Sequence, residues 1–175
     1  MVFLVFILLI QAILIDHHTD MQSSIVGDML SCGNWAKKAL QNPSLHRLYL
    51  IGPSKHDLKS MERNKVLSFS IEELEQGVTI PLETKYPVYI SIDKDVLDER
   101  YAMTNWNQGE MSLGMLEDVL AHFLKNCEVI GIDICGDDPD IDDYPTYIKA
   151  ERINNLSDDA LYQTAMKILK RRKKK

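Results

Sequence analysis

Residues 87–93, PVYISID, decide the reading of the fold. Their β-branched and aromatic side chains run with almost no polar alternation, the pattern of a parallel strand covered on both faces. Similar runs lie on either side: AILID at 12–16, LHRLYLIG at 45–52, KVLSFS at 65–70 and EVIGIDI at 128–134. Between them fall helical stretches: CGNWAKKALQN at 32–42, IEELEQG at 71–77, and a segment capped by Ser112 in which Leu113, Leu116, Leu120 and Phe123 recur at helical spacing. Ser157, followed by Asp158 and Asp159, is expected to open a last helix whose basic end complements the helix dipole. Strands alternating with helices predict the α/β class, a three-layer parallel sheet flanked by helices. No repeat, low-complexity segment or linker divides the chain, so 1–175 reads as a single domain.

The 175 residues are 45% hydrophobic, enough to fill a core, and the net charge of −6 gives no reason to expect nucleic acid as a partner. The basic block at 170–175, KRRKKK, reads as a solvated helix end. Cys32, Cys127 and Cys135 show neither a CxxC spacing nor an even count, which fits a reducing compartment and makes the cytoplasm the expected location. The first fifteen residues are apolar except for Gln11. They are short for a membrane span and lack the basic flank of a secretory signal. A buried strand is expected over 11–16, residues 1–10 receive no assigned role, and an anchored or secreted protein stands as a rival reading.

Two of the strands end in acid. ILIDHHTDMQ, residues 13–22, places Asp16, His18 and Asp20 behind an apolar run, and PVYISID is followed by Lys94 and Asp95. In a parallel sheet all strand C-termini share one edge, where ligands bind. Alternation along an extended chain would put 16, 18 and 20 on one side and 93 with 95 on one side, with His17 and Lys94 turned away. Clustered carboxylates are costly to desolvate unless a cation or proton neutralises them. Four carboxylates and an imidazole suit a hard or borderline divalent ion such as manganese, and carboxylates can bridge a pair of ions that activates water. The plain alternative is that these are strand-end turn residues with no ligand role.

These residues carry a resemblance. DHHTD resembles the D-x-H-x-D motif, and SIDKDVLD the S-x-D-x-D-x-x-D motif, of the arginase and agmatinase ureohydrolases; MSLGMLEDVL is similar to the helix after the second motif. The similarity runs from about 13 to 139. It implies an arginase-like fold and two Mn2+ ions activating a hydroxide for attack on the carbon of a C–N bond. By resemblance, Asp16 and Asp93 would bridge both ions, Asp20 would bind one, and His18 with Asp95 the other. A small-molecule amidine or amide is the implied substrate.

The chain also departs from that pattern. The histidine of an upstream G-G-D-H motif has no counterpart before Asp16, so one metal position is expected to be weakened and the start is expected to lie upstream. Where arginases carry a glutamate that grips the guanidinium, DICGDDP has Gly136, with Asp137 and Asp138 as nearby carboxylates. SCGNWA offers Trp35 and Ala36 instead of a proton-shuttle histidine. Arginine hydrolysis is therefore not expected, and a catalytically impaired relative that keeps metal binding is a second reading. His17 is expected in a packing or supporting role, His56 on the functional edge, His46 and His122 in packing or at the surface, and Cys32 and Cys135 buried. Trp106 and Gln108 are candidates for a pocket wall. A sheet edge left open would favour association into a homo-oligomer.

Overall fold

The computed structural model describes residues 9–24, 27–59, 64–137 and 143–172. Most of the N-terminal segment without an assigned role, Asp138, and the end of the basic tail lie outside the described residues.

Five strands form one sheet: β1 (Ile10–Ile15), β2 (Leu45–Gly52), β3 (Val66–Ser70), β4 (Val88–Asp93) and β5 (Val129–Cys135). Their order is β3-β2-β1-β4-β5 and every pairing is parallel. The two strands that end in acid, β1 and β4, are central neighbours, paired in register from Gln11 with Val88 to Ile15 with Ile92. Their carboxylates therefore leave the sheet side by side.

The strands alternate between two apolar layers. Ile13, Ile15, Tyr49, Ile51, Ile90 and Ile92 face a cluster completed by α4 (Leu113–Asn126) and by Leu161 of α5 (Tyr144–Arg172). Leu14, Leu48 and Leu50 face a second, smaller cluster closed by Ala36 of α1 (Trp35–Ala39) and Leu58 of α2 (Lys55–Leu58). The arrangement is the three-layer α/β sheet with flanking helices. A residue that belongs to one layer has neighbours in the other, which is why the central strands lack polar alternation.

Local signals set most helix boundaries. Ser112 accepts a hydrogen bond from Met115 N and caps α4. Ser70 and Glu73 form a reciprocal capping box for α3 (Ile71–Glu75). The stretch 32–42 is helical only in part, as a 3-10 turn at Cys32–Asn34 followed by the short α1. α2, capped by Ser54 through Asp57 N, has no counterpart in the sequence reading. The last helix departs most from expectation: it starts at Tyr144, and Ser157 lies in its interior. Pro145 suits a first helical turn, and the inward face runs through Ala150, Asn154, Ser157 and Leu161 at spacings of three and four. Two buried polar residues on that face break its apolar pattern, so a serine inside a helix reads as a cap.

Candidate metal centre

The acidic residues are gathered by turns, and not by the alternation of an extended chain. β1 stops at Ile15, and Asp16, 2% exposed, is tied to the neighbouring strand through its amide, which donates to Ile51 O at 3.0 Å. Gly52 lets the end of β2 pass directly beneath it: at φ +118 a side chain is disfavoured, and a Cβ there would meet Asp16 O at 2.6 Å. The loop then folds back so that His18 N donates to Asp16 Oδ1 at 2.5 Å and His17 N donates to Asp95 Oδ1 at 3.1 Å. Asp20 adopts a left-handed φ of 51, and its Oδ2 accepts the Trp35 indole N–H at 2.5 Å. On the other strand, Asp93 caps a 3-10 turn by accepting Asp95 N at 3.0 Å, which carries Asp95 back toward β1.

Donor atoms of Asp16, His18 and Asp95 all lie within 4.8 Å of one another. His18 Nδ1 and Asp95 Oδ2 are 2.8 Å apart. The two atoms are hydrogen-bonded at that distance, and because adjacent ligands about 2.1 Å from one octahedral ion stand roughly 3 Å apart, the same spacing also admits a shared cation. Asp20 and Asp93 lie alongside, close enough for their charges to raise the Asp16 carboxyl.

The electrostatics of the cluster are those of anions in search of a cation. Burial first, then the charges of Asp95 and Asp20, push Asp16 up to about 10. Burial raises Asp20 to about 6 against the opposing Trp35 hydrogen bond, and burial with the Asp95 charge raises Asp93. His18 is raised by its hydrogen bond to Asp95, while burial and the neighbouring His18 lower His17. Among the described residues, no lysine or arginine forms an ion pair with Asp16, Asp20, Asp93 or Asp95. Lys94, between two of them, turns the other way: 1% exposed, its Nζ reaches Asp137 at 2.5 Å and Asp158 at 3.0 Å. A hard or borderline divalent ion fits this donor set on charge, ligand type and spacing.

A cleft of about 500 Å³ opens beside the trio. Its walls are His17, His18, Thr19 and Gln22 from the first acidic loop, His56 and Asp57 from α2, and Asn107 from the segment after β4. His17 thus borders the same space as His18, contrary to the outward direction expected from strand alternation, because the chain has already left the strand. His56 lies on the functional edge and is exposed. Trp106 stands edge-on to His18 with ring centroids 6.1 Å apart. Gln108 instead braces its own loop, donating to Leu97 O and Ala102 O at 3.0 Å. His46 pairs with Glu83, and His122 bonds Ile80 O.

Further findings concern the cysteines and the end of β5. Cys32 and Cys135 are exposed residues and not buried ones, although the Cys135 sulfur contacts Asp93 Oδ2 at 3.6 Å and burial pushes its thiol up to about 12. Asp137 is taken by Lys94 and so is committed away from a substrate role. Gly136 sits at φ +95, where a Cβ would collide with the Asp93 carboxylate and lie 2.8 Å from Lys94 N. The missing glutamate therefore goes with a backbone that has no room for any side chain. Thr19, Gln22, Asp57 and Asn107 were not found from sequence, since nothing in their local patterns places them on one cleft. Lys94 carried a usable signal: a lysine between two acids at the end of an apolar strand needs a buried partner.

Fold and site together define a protein of the ureohydrolase class. The chain belongs to the arginase family, whose model matches residues 9–155. An uncharacterized protein of Thermotoga maritima is 31% identical over 142 residues, covering 81% of this chain and 53% of that protein. Among solved structures, proclavaminate amidino hydrolase from Streptomyces clavuligerus is similar at a TM-score of 0.67 and 19% identity, over 90% of this chain and 56% of its own. A variant of Trypanosoma cruzi formiminoglutamase with Mn2+ is similar at a TM-score of 0.65 and 14% identity, over 91% of this chain and 55% of its own. The chain thus spans about half the length of the relatives it matches.

Proposed function

We propose that this chain is a manganese-dependent hydrolase that cleaves a carbon–nitrogen bond of a small amidine or amide. The observation that carries the reading is the trio Asp16, His18 and Asp95, converging within 4.8 Å around an Asp16 carboxyl pushed up to about 10. Manganese is favoured by the oxygen-rich donor set and by the Mn2+ named with the Trypanosoma cruzi structure. When bound, such an ion supplies Lewis acidity that makes water a competent nucleophile near neutral pH. Asp16, His18 and Asp95 would hold one ion. Asp93 and Asp20, alongside the trio, would serve a second position together with Asp16, and the Trp35 N–H would orient the Asp20 carboxylate.

The chain's other residues bind and orient. Thr19, Gln22 and Asn107 offer hydrogen bonds along the cleft, and Trp106 stands edge-on beside His18. An amidine or amide follows from the class and from the amidino and formimino groups in the names of the structural relatives. Arginine is disfavoured, since Gly136 provides no carboxylate for a buried guanidinium. A cytoplasmic setting is supported by three free cysteines. Among the described residues no helix is long and apolar enough to cross a membrane. We take the chain to act as a single domain.

Both tryptophans of the chain flank the centre, Trp35 on Asp20 and Trp106 on His18. Titration with Mn2+ is therefore expected to quench intrinsic fluorescence and saturate near one tightly held ion per chain, with Asp95→Ala abolishing the tight phase. No saturable quenching, together with no ion retained on dialysis, would refute the metal reading. Release of product from a panel of amidines and amides, but not of urea from arginine, tests the chemistry.

A further inference from the structure

α5 carries three polar side chains on one face. Asn154, Ser157 and Asp158 stand at i, i+3 and i+4, so they project from the same side of the helix. Asn154 and Ser157 are 5% and 1% exposed. Asn154 uses both ends of its amide on one residue: Oδ1 accepts Met103 N at 2.8 Å, and Nδ2 donates to Met103 O at 2.9 Å. Ser157 Oγ donates to Tyr101 O, and Asp158 holds Lys94 Nζ at 3.0 Å.

All of these partners lie in the segment that follows β4, between Asp93 and Trp106 in the chain. Lys94 lies between Asp93 and Asp95. Tyr101 and Met103 begin the segment that carries Trp106 to His18, and that segment is fastened at its far end by Gly109 N, which donates to Asp95 O at 2.6 Å. Gln108 ties the two ends together, accepting Thr104 N at 3.2 Å while donating to Leu97 O and Ala102 O. A buried amide and hydroxyl on a core-facing helix cost more than apolar residues unless their hydrogen bonds are made. Here each is spent on loop backbone and none on the sheet.

We propose that α5 is the positioning element of the centre and Asn154 its principal positioning residue. By pinning Met103, Asn154 sets the 101–111 segment so that Trp106 stands against His18. Asn154 touches neither the trio nor the cleft; it acts through Met103 and Trp106. The functional meaning rests on the reading of His18 as a ligand, but the geometric claim does not, and the test uses metal-free protein.

In the full chain, nuclear Overhauser contacts between the His18 ring and the Trp106 indole are expected in the wild type. Asn154→Leu removes both hydrogen bonds at similar size; it should lose the contact and raise amide exchange over 101–108 at least about tenfold. Ser157→Ala, a smaller change, should shift the same segment in the same direction and carries the test alone if Asn154→Leu does not fold. Leu161→Ala, on the same helix but making none of the loop hydrogen bonds, should lower Tm while keeping the contact. Unchanged contact and exchange in the two polar variants, or an equal loss in Leu161→Ala, would overturn the proposal. A separate Mn2+ titration of the wild type decides the metal reading without altering this outcome.

Discussion

At the scale of single residues, the centre is a set of carboxylates held in conflict. Replacing Asp93 by alanine removes a proposed bridging ligand and should weaken manganese binding by at least about tenfold, roughly 1.4 kcal/mol, measured by calorimetric titration. Lys94→Ala should leave that affinity nearer to wild type, since the side chain points to Asp137 and Asp158. It should nonetheless lower stability by on the order of 2 kcal/mol, less than for a fully enclosed pair because both aspartates are partly exposed. Equal losses of affinity in the two variants would mean that the facing of Asp93 is wrong. Gly136→Glu should not create a grip for guanidinium; the added side chain must displace Asp93, so metal binding should fall and arginine should still not be cleaved.

The same residues set a pH dependence. Asp16, Asp20 and Asp93 have raised carboxyls, so the metal-free folded state holds protons that the unfolded state releases, and stability falls as pH rises. The fall begins near the ordinary aspartate value of 3.8, continues past about 6 as Asp20 ionises, and runs toward about 10 for Asp16. His17, lowered, and His18, raised, contribute with opposite signs around 6.5. A divalent ion replaces those protons, so the gain in Tm on adding Mn2+ should be larger at pH 8 than at pH 5. Melts showing equal gains, or metal-free protein more stable at pH 8, would contradict this.

At the scale of elements, the strands were legible because each satisfies one strong rule. β4 and β1 must be apolar on both faces when helices lie above and below, and no other local pattern competes. The helix cap at Ser112 was equally local. Ser157 shows where local reading stops: serine followed by two aspartates is a good cap in isolation, yet its hydroxyl is spent on Tyr101 O in the interior of a 29-residue helix. Cap preference is worth about 1 kcal/mol, less than burial of the whole inward face of α5.

At the scale of the whole molecule, β5 is an edge whose only pairing among the described residues is with β4. Ile130 and Ile134 are 49% and 36% exposed, and the strand carries no lysine or proline; its one charged residue, Asp133, accepts the Ser91 hydroxyl. Antiparallel pairing with a second copy about Ile132 would set Ile130 opposite the partner's Ile134, and Asp133 opposite the partner's Gly131, so that no like charges face each other. A concentration-dependent dimer in sedimentation, reduced to monomer by Ile130→Lys, is the expected outcome; a wild-type monomer at high concentration would dismiss it.

What the sequence determined by itself was the α/β fold class and the ligand candidates: strands apolar on both faces report a parallel sheet, and their ending at Asp16 and Asp93 reports an uncompensated charge, both by short-range physics. What only the tertiary structure decided was which side chains meet. Strand order brought β1 beside β4, turns at Asp20 and Asp95 replaced the alternation assumed for an extended chain, and His17 entered the cleft as a result. Lys94 found partners 43 and 64 positions away, and Asn154 found Met103 across 51. Such pairings depend on how layers stack and loops close, and a linear pattern carries no record of that.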